Sequence, residues 1–102
     1  MGRNLAALKD LHLYEMSLPG THDSGTKEME LPLAAPWATT QNQTLTQQLE
    51  GGARVLDLRV GHSAGKEGAE GTLVLVHDTW KTKTSLKDAM GEVLRFVRAH
   101  PR

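Results

Sequence analysis

The carboxyl-terminal end of the chain carries its clearest structural signal, an amphipathic helix. Ser85 can cap this helix, and apolar residues then follow at helical spacing until Pro101: Leu86, Ala89, Met90, Val93, Leu94 and Val97. A helix of this kind must bury its apolar face against another layer of structure. The sequence offers no further strand beyond it, so we expect an incomplete fold with a missing carboxyl-terminal remainder, or self-association through the uncovered face.

Three upstream segments predict β-strands. Residues 14–18 form a short extended piece closed by a Pro-Gly turn, residues 53–60 alternate between apolar and charged side chains, and residues 72–76 are a continuous apolar run. Between the first two strands, a capping-box pattern at Thr44 predicts a short helix over residues 45–50. Helices that interleave with buried strands favour an α/β architecture.

The remaining segments predict one short helix and two connections. Asn4 is a suitable cap, so a short helix is predicted directly after it. Residues 24–41 show no sustained period and are interpreted as a long loop anchored by Trp37, while the glycine-rich residues 61–71 are interpreted as a solvated turn.

Composition excludes several functional classes. Lys plus Arg and Asp plus Glu both number 12, so no basic excess is available to bind nucleic acid. The chain has no cysteine and therefore neither a disulfide framework nor a thiolate metal cluster. Its apolar runs are far shorter than the roughly 20 residues of a membrane-spanning helix, and the first ten residues do not resemble a signal peptide. Secreted and cytoplasmic locations both stay open.

Polar residues with chemical potential follow each predicted strand. The stretch "SLPGTHDS" places His22, Asp23 and two hydroxyl groups after the first strand, Arg59 lies near the end of the second, and His77 ends the third. If the strands are parallel, their carboxyl ends meet at one edge and these side chains converge. Two imidazoles can serve as base and acid, and a guanidinium suits a phosphate, so the set predicts cleavage of a phosphodiester. Asp23 and Asp57 can orient these groups.

Simpler interpretations compete with this one. A turn histidine is often structural, His77 can be a solvated strand end, and Asp57 and Arg59, two apart on one strand face, can simply pair with each other. No two histidines have the i, i+4 spacing of a helical zinc site, so no metal site is predicted. Three histidines are not part of a group of candidate catalytic residues and are interpreted as surface residues: His12, His62 and His100.

Taken in order, "SLPGTHDS", "TQNQTLTQQLEGGARVLDLRV" and "LVHD" resemble the amino-terminal part of the X domain of phosphatidylinositol-specific phospholipase C, in its bacterial, metal-independent form. The resemblance covers about residues 11–102 of a single partial domain spanning residues 1–102. It implies the first portion of an irregular TIM-type (β/α) barrel, a fold that takes about 250 residues when whole.

The resemblance also implies chemistry. The inositol 2-hydroxyl would attack phosphorus and expel diacylglycerol, with His22 as general base, His77 as general acid and Asp23 assisting the acid. Arg59 would steady the phosphate charge, with Asp57 beside it. The carboxylate partner of the base and most inositol contacts would come from later strands that this chain lacks, so we expect the chain alone to be inactive. The implied partner is a phosphoinositide lipid or inositol phosphodiester, met transiently at a membrane surface.

Two departures and two alternatives accompany this resemblance. Calcium-dependent relatives have a carboxylate where Arg59 stands, so no cofactor is expected. Bacterial-type relatives commonly have Gly at the place of Asp78, which here puts a further carboxylate beside His77. The alternatives are a glycerophosphodiester phosphodiesterase-like barrel enzyme, which uses metal-binding carboxylates, and a catalytically inert module that binds phosphoinositide or another chain.

Overall fold

The computed structural model describes residues 5–29, 39–64 and 71–101. These residues form a mixed α/β unit whose elements follow in the order α1 (Leu5–Leu8), β1 (Gly20–Thr21), α2 (Leu45–Glu50), β2 (Val55–Leu56), β3 (Val60–Ser63), β4 (Thr72–His77), β5 (Trp80–Ser85) and α3 (Leu86–Ala99). Short 3-10 turns occupy Leu13–Glu15 and Thr26–Glu28.

The two helices that the capping signals predicted are confirmed. The hydroxyl of Thr44 accepts a hydrogen bond from the Gln47 backbone N–H, and the Gln47 side chain accepts one in return from Thr44, so both ends of the capping box that starts α2 are formed. Ser85 caps α3 by accepting from the Asp88 N–H at 3.0 Å. Local signals of this kind determine helix starts directly.

The strands pair in two separate ways, and only one of them is parallel. β1 pairs in parallel with β2, whereas β3, β4 and β5 form an antiparallel sheet in that order. The strand predicted over residues 53–60 is interrupted: β2 ends at Leu56 and β3 begins at Val60, where the chain changes from a parallel to an antiparallel neighbour. A parallel arrangement of all predicted strands is therefore wrong.

The other predictions of strands and turns differ from the structure in several places. The piece predicted to be extended over residues 14–18 begins in a 3-10 turn, and the strand that enters the site is the two-residue β1. β5 was not predicted, and β3 replaces the first part of the turn predicted over residues 61–71. Asn4 and Trp37 lie outside the described residues.

The core joins one residue from each of three elements. Leu45 of α2, Leu75 of β4 and Ala89 of α3 are almost fully buried and in contact with one another. Four partly buried apolar residues pack around them: Leu56, Leu58, Leu86 and Val93. The core therefore lies between the two helices and the strands, directly beneath the turn that follows β1.

One stripe of α3 stays outside this core. Met90, Leu94 and Val97 follow each other at helical spacing and are 43%, 49% and 55% exposed. Val60, predicted to lie on an apolar face, is also 43% exposed. None of the described helices is long and apolar enough to cross a membrane.

Candidate active site

The parallel pairing of β1 with β2 builds the framework of the site. The pairing sets Thr21 opposite Leu56, so the turn after β1 lies against the segment after β2. The backbone N–H of Ser24 donates to the Asp57 carbonyl at 2.9 Å and extends this contact. Asp23 adopts a left-handed backbone with φ of 47°, a conformation that Asp tolerates better than most residues. The turn thereby brings the His22 and Asp23 side chains to the Asp57 carboxylate.

Asp23 lies at the centre of the cluster and is only 1% exposed. Its Oδ1 lies 2.8 Å from Arg59 Nε, and its Oδ2 lies 3.1 Å from His22 Nε2 and 3.4 Å from His77 Nε2. These contacts are ion-pair distances, while neither buried oxygen accepts a well-aligned hydrogen bond from the described residues. The carboxylate is thus held between three basic groups.

Asp57 provides a second carboxylate on the other side of His22. Its Oδ2 lies 3.0 Å from His22 Nδ1 and 3.2 Å from Arg59 Nη2, and it accepts from the Asp23 backbone N–H at 3.2 Å. The Asp23 N–H, the Arg59 guanidinium and His22 together hold the pKa of the Asp57 carboxyl below its ordinary value. Asp57 therefore bears its negative charge at neutral pH.

The cluster has a buried side and a solvent-accessible side. The Asp23 side chain is fully buried, His77 is 25% exposed, Arg59 is 43% exposed and His22 is 67% exposed. The guanidinium and both imidazoles are therefore accessible to solvent to different degrees, whereas the Asp23 carboxylate is not. This combination can bind a phosphate and can move protons on either side of it.

Comparison with known proteins gives the family. The profile of the phosphatidylinositol-specific phospholipase C X domain matches residues 16–102. The chain belongs to this family. The match includes all the residues of the cluster just described.

Individual relatives of this X domain agree with the family match. The chain is 30% identical to mouse PI-PLC X domain-containing protein 1, over 93% of this chain and 34% of that protein. It is 32% identical to the 1-phosphatidylinositol phosphodiesterase of Listeria monocytogenes, over 96% of this chain and 29% of that protein. A solved structure of Staphylococcus aureus phosphatidylinositol-specific phospholipase C, from work on its membrane binding, superposes with a TM-score of 0.76 at 28% identity, covering 95% of this chain and 31% of that one. The chain thus spans about a third of the length of these relatives.

Three groups of the X-domain cluster have the geometry to bind a cation. One ligand atom each from His22, Asp23 and Asp57 lies within 4.8 Å of the others. Arg59 contacts both carboxylates, however, and supplies a positive charge of the protein's own at this place. The donor set is therefore arranged as an ion-pair network that a metal would have to displace.

The remaining candidates lie outside the cluster. Asp78 begins the turn between β4 and β5 with a left-handed φ of 54°, is exposed, and makes no ion pair with His77 or any other described residue. The effect of its carboxylate on His77 therefore stays a prediction. The other histidines, His12, His62 and His100, are exposed as predicted.

Several residues that support the turn were not predicted. The Gln41 side chain donates to the His22 carbonyl at 2.6 Å, and the buried Gln48 side chain donates to the Ser24 carbonyl at 2.8 Å. Both amides act over long sequence separations, so no local pattern reveals them. A polar residue at the buried face of α2, such as Gln48, was the one available sign.

Proposed function

We propose that the protein carrying this chain cleaves the phosphodiester of phosphatidylinositol-type lipids by attack of the inositol 2-hydroxyl on phosphorus. The observation that carries the proposal is the single ion-pair cluster formed by residues from three segments far apart in sequence: His22, Asp23, Asp57, Arg59 and His77. Family membership and the names of the bacterial relatives support the same chemistry.

His22 is the proposed general base. Its Nδ1 faces the Asp57 carboxylate, so an N–H on Nδ1 donates there. Nε2, which lies 3.1 Å from Asp23 Oδ2, then takes the proton of a 2-hydroxyl that approaches beside that carboxylate. The imidazolium formed in this step has a carboxylate near each nitrogen, at 3.0 and 3.1 Å. The developing positive charge is therefore stabilised where it arises.

Arg59 is the proposed phosphate-binding group. Asp23 and Asp57 hold its guanidinium from below through Nε and Nη2, while 43% of the side chain stays accessible. A fixed guanidinium can then donate to the non-bridging oxygens of the phosphate and stabilise the extra charge of the transition state.

His77 is the proposed general acid. As the new oxygen–phosphorus bond forms, the bond from phosphorus to the glycerol oxygen breaks, and that oxygen takes a proton from the imidazole. Asp23 Oδ2, 3.4 Å from His77 Nε2, assists this group. The products are diacylglycerol and a cyclic inositol phosphate, which water can later open.

The first experiment measures release of cyclic inositol phosphate from phosphatidylinositol vesicles by the full-length protein carrying this chain. Single substitutions His22→Ala and His77→Ala should each reduce turnover by about a hundredfold or more, since general acid–base groups contribute about 10²- to 10⁴-fold. His62→Ala, at an exposed histidine outside the cluster, is the matched control and should retain activity. Full activity in both cluster variants would overturn the assignment.

A second substrate separates the two histidine roles. An inositol phosphodiester whose leaving group is an aryl oxide does not need protonation as it departs. Turnover of that substrate should therefore recover in His77→Ala and stay low in His22→Ala. Equal recovery in both variants, or in neither, would contradict the division into acid and base.

The same measurements distinguish the other functions. Loss of turnover with a chelator would favour the metal-dependent glycerophosphodiester enzyme, and vesicle binding without turnover in any form would favour an inert module. We further propose that the X-domain chain is the amino-terminal part of an irregular barrel and is inactive without the remainder, because it matches only about a third of the length of its relatives. We also propose that it meets the membrane surface transiently, since the proposed substrate is a lipid.

A further inference from the structure

We infer that Ser24, together with Thr21, positions Asp57 against the His22 turn and is required for the proposed reaction although neither hydroxyl touches the reacting groups. The expected effect on turnover rests on the proposed function. The expected effect on the position of Asp57 rests on the hydrogen bonds alone. Both hydroxyls belong to "SLPGTHDS" and have no role in the acid–base scheme.

The Ser24 hydroxyl uses all of its hydrogen-bonding capacity. It donates to the Thr21 carbonyl at 2.8 Å and accepts from the Asp57 backbone N–H at 2.9 Å. Because its one proton is committed to that carbonyl, the Thr21 hydroxyl at 2.8 Å is the donor in the remaining contact. A serine hydroxyl has one donor and two acceptor sites, so this arrangement is complete.

The backbone of Ser24 also binds Asp57, through a separate hydrogen bond. Its N–H donates to the Asp57 carbonyl at 2.9 Å, so Ser24 binds both the N–H and the carbonyl of Asp57. The Asp57 N–H has a longer second contact with the Thr21 carbonyl at 3.2 Å. Ser24 is 1% exposed, and water cannot replace its hydroxyl without rearrangement.

These hydrogen bonds from Ser24 hold the Asp57 backbone and thereby determine where its carboxylate lies. That carboxylate contacts His22, the Asp23 N–H and Arg59 within 3.0–3.2 Å. His22 and Asp23 belong to the turn after β1, so their contacts with Asp57 depend on the spacing between the two segments. A displacement of about 1 Å at a catalytic group can cost about a hundredfold in rate. The hydroxyl pair therefore acts through Asp57 on the base and on the phosphate-binding group.

The structural test uses the full-length protein carrying this chain and ¹³C NMR titration of the Asp57 carboxyl. Ser24→Ala and the near-isosteric Thr21→Val should each move the Asp57 pKa toward its ordinary value, because the Asp23 N–H then no longer donates squarely to the Asp57 carboxylate. Thr21→Ser, which retains the hydroxyl, should restore the original titration. Thr82→Val is the matched control. Thr82 is a buried threonine of β5 whose hydroxyl, among the described residues, bonds only within its strand, so the Asp57 titration should not move.

The kinetic test uses the full-length protein. Ser24→Ala and Thr21→Val should lower kcat about tenfold to a hundredfold with KM changed less than about threefold, as for groups that orient a catalytic residue. Thr82→Val, with a similar loss of thermal stability, should keep kcat. An unchanged Asp57 titration in a folded Thr21→Val variant would overturn the positioning role even if Ser24→Ala fails to fold. Absence of turnover in the unsubstituted protein would instead overturn the proposed function and leave the NMR result standing.

Discussion

Replacing Asp23 by Asn tests whether the buried carboxylate holds the cluster together. The substitution keeps the side-chain shape and removes one negative charge from a site where Arg59 lies 2.8 Å away and two imidazoles lie within 3.4 Å. Exposed ion pairs contribute about 0–1 kcal/mol, whereas breaking a fully buried pair costs about 3–5 kcal/mol. Here one partner is fully buried and the other is 43% exposed, so we expect Asp23→Asn to lower the free energy of unfolding by about 2 kcal/mol.

The chain offers a matched control for this substitution. Asp78 has nearly the same left-handed backbone, with φ of 54° against 47°, and makes no ion pair within the described residues. Asp78→Asn therefore carries the same change in backbone preference without the electrostatic loss. Urea denaturation of the two variants at pH 7 isolates the ion-pair contribution. Equal stability of Asp23→Asn and Asp78→Asn would refute the reasoning that the carboxylate holds the cluster.

Three further predictions concern stability. A methyl group at Gly25 would overlap Leu75 Cδ1 in the core, so Gly25→Ala should destabilise by about 1–3 kcal/mol in urea denaturation, and a neutral result would show that the turn is not packed against β4. The pKa of Asp57 lies below its ordinary 3.8, chiefly because the Asp23 N–H donates to the carboxylate, so its stabilising contribution is present above that pH and is lost as the pH falls through the lowered pKa. The difference in unfolding free energy between the unsubstituted chain and Asp57→Asn should accordingly shrink below pH 3.8 and would contradict the contact if it grew. Ser85→Ala should cost about 0.5–2 kcal/mol and lower the helical circular dichroism signal, whereas an unchanged melting curve would exclude the cap.

The sequence predicted the elements whose signals are local. Thr44 and Ser85 mark the starts of α2 and α3 because a capping hydroxyl acts within three residues of its own position. The apolar run at residues 72–76 likewise predicted β4. These features need no knowledge of how the chain is arranged in space.

The unpredicted strands lacked that kind of signal. β5 reads "WKTKTS", where threonines rather than aliphatic residues alternate with lysines, and Thr82 is buried without being apolar. β3 contains Gly61 and His62, which do not favour strands. The direction of pairing was not predictable either, because β2 and the first residue of β3 belong to one continuous alternating stretch that exchanges neighbours at residues 57–59.

The members of the ion-pair cluster were among the residues that the sequence singled out, whereas their contacts were not predictable. Chemistry and resemblance singled out His22, Arg59 and His77, yet the resemblance placed the carboxylate partner of the base in a later part of the fold. That expectation stays a prediction, while within the described residues Asp57 Oδ2 lies 3.0 Å from His22 Nδ1. Asp57 and His22 are 35 positions apart, and only the pairing of β1 with β2 brings them together.

The central claim is that a guanidinium of the protein, not a metal, meets the phosphate. ³¹P NMR of the full-length protein acting on phosphatidylinositol in excess chelator tests it most directly. We expect the cyclic inositol phosphate signal to appear at an undiminished rate, and Arg59→Gln to abolish it under the same conditions. A signal that disappears with chelator and returns only when calcium is added would contradict it.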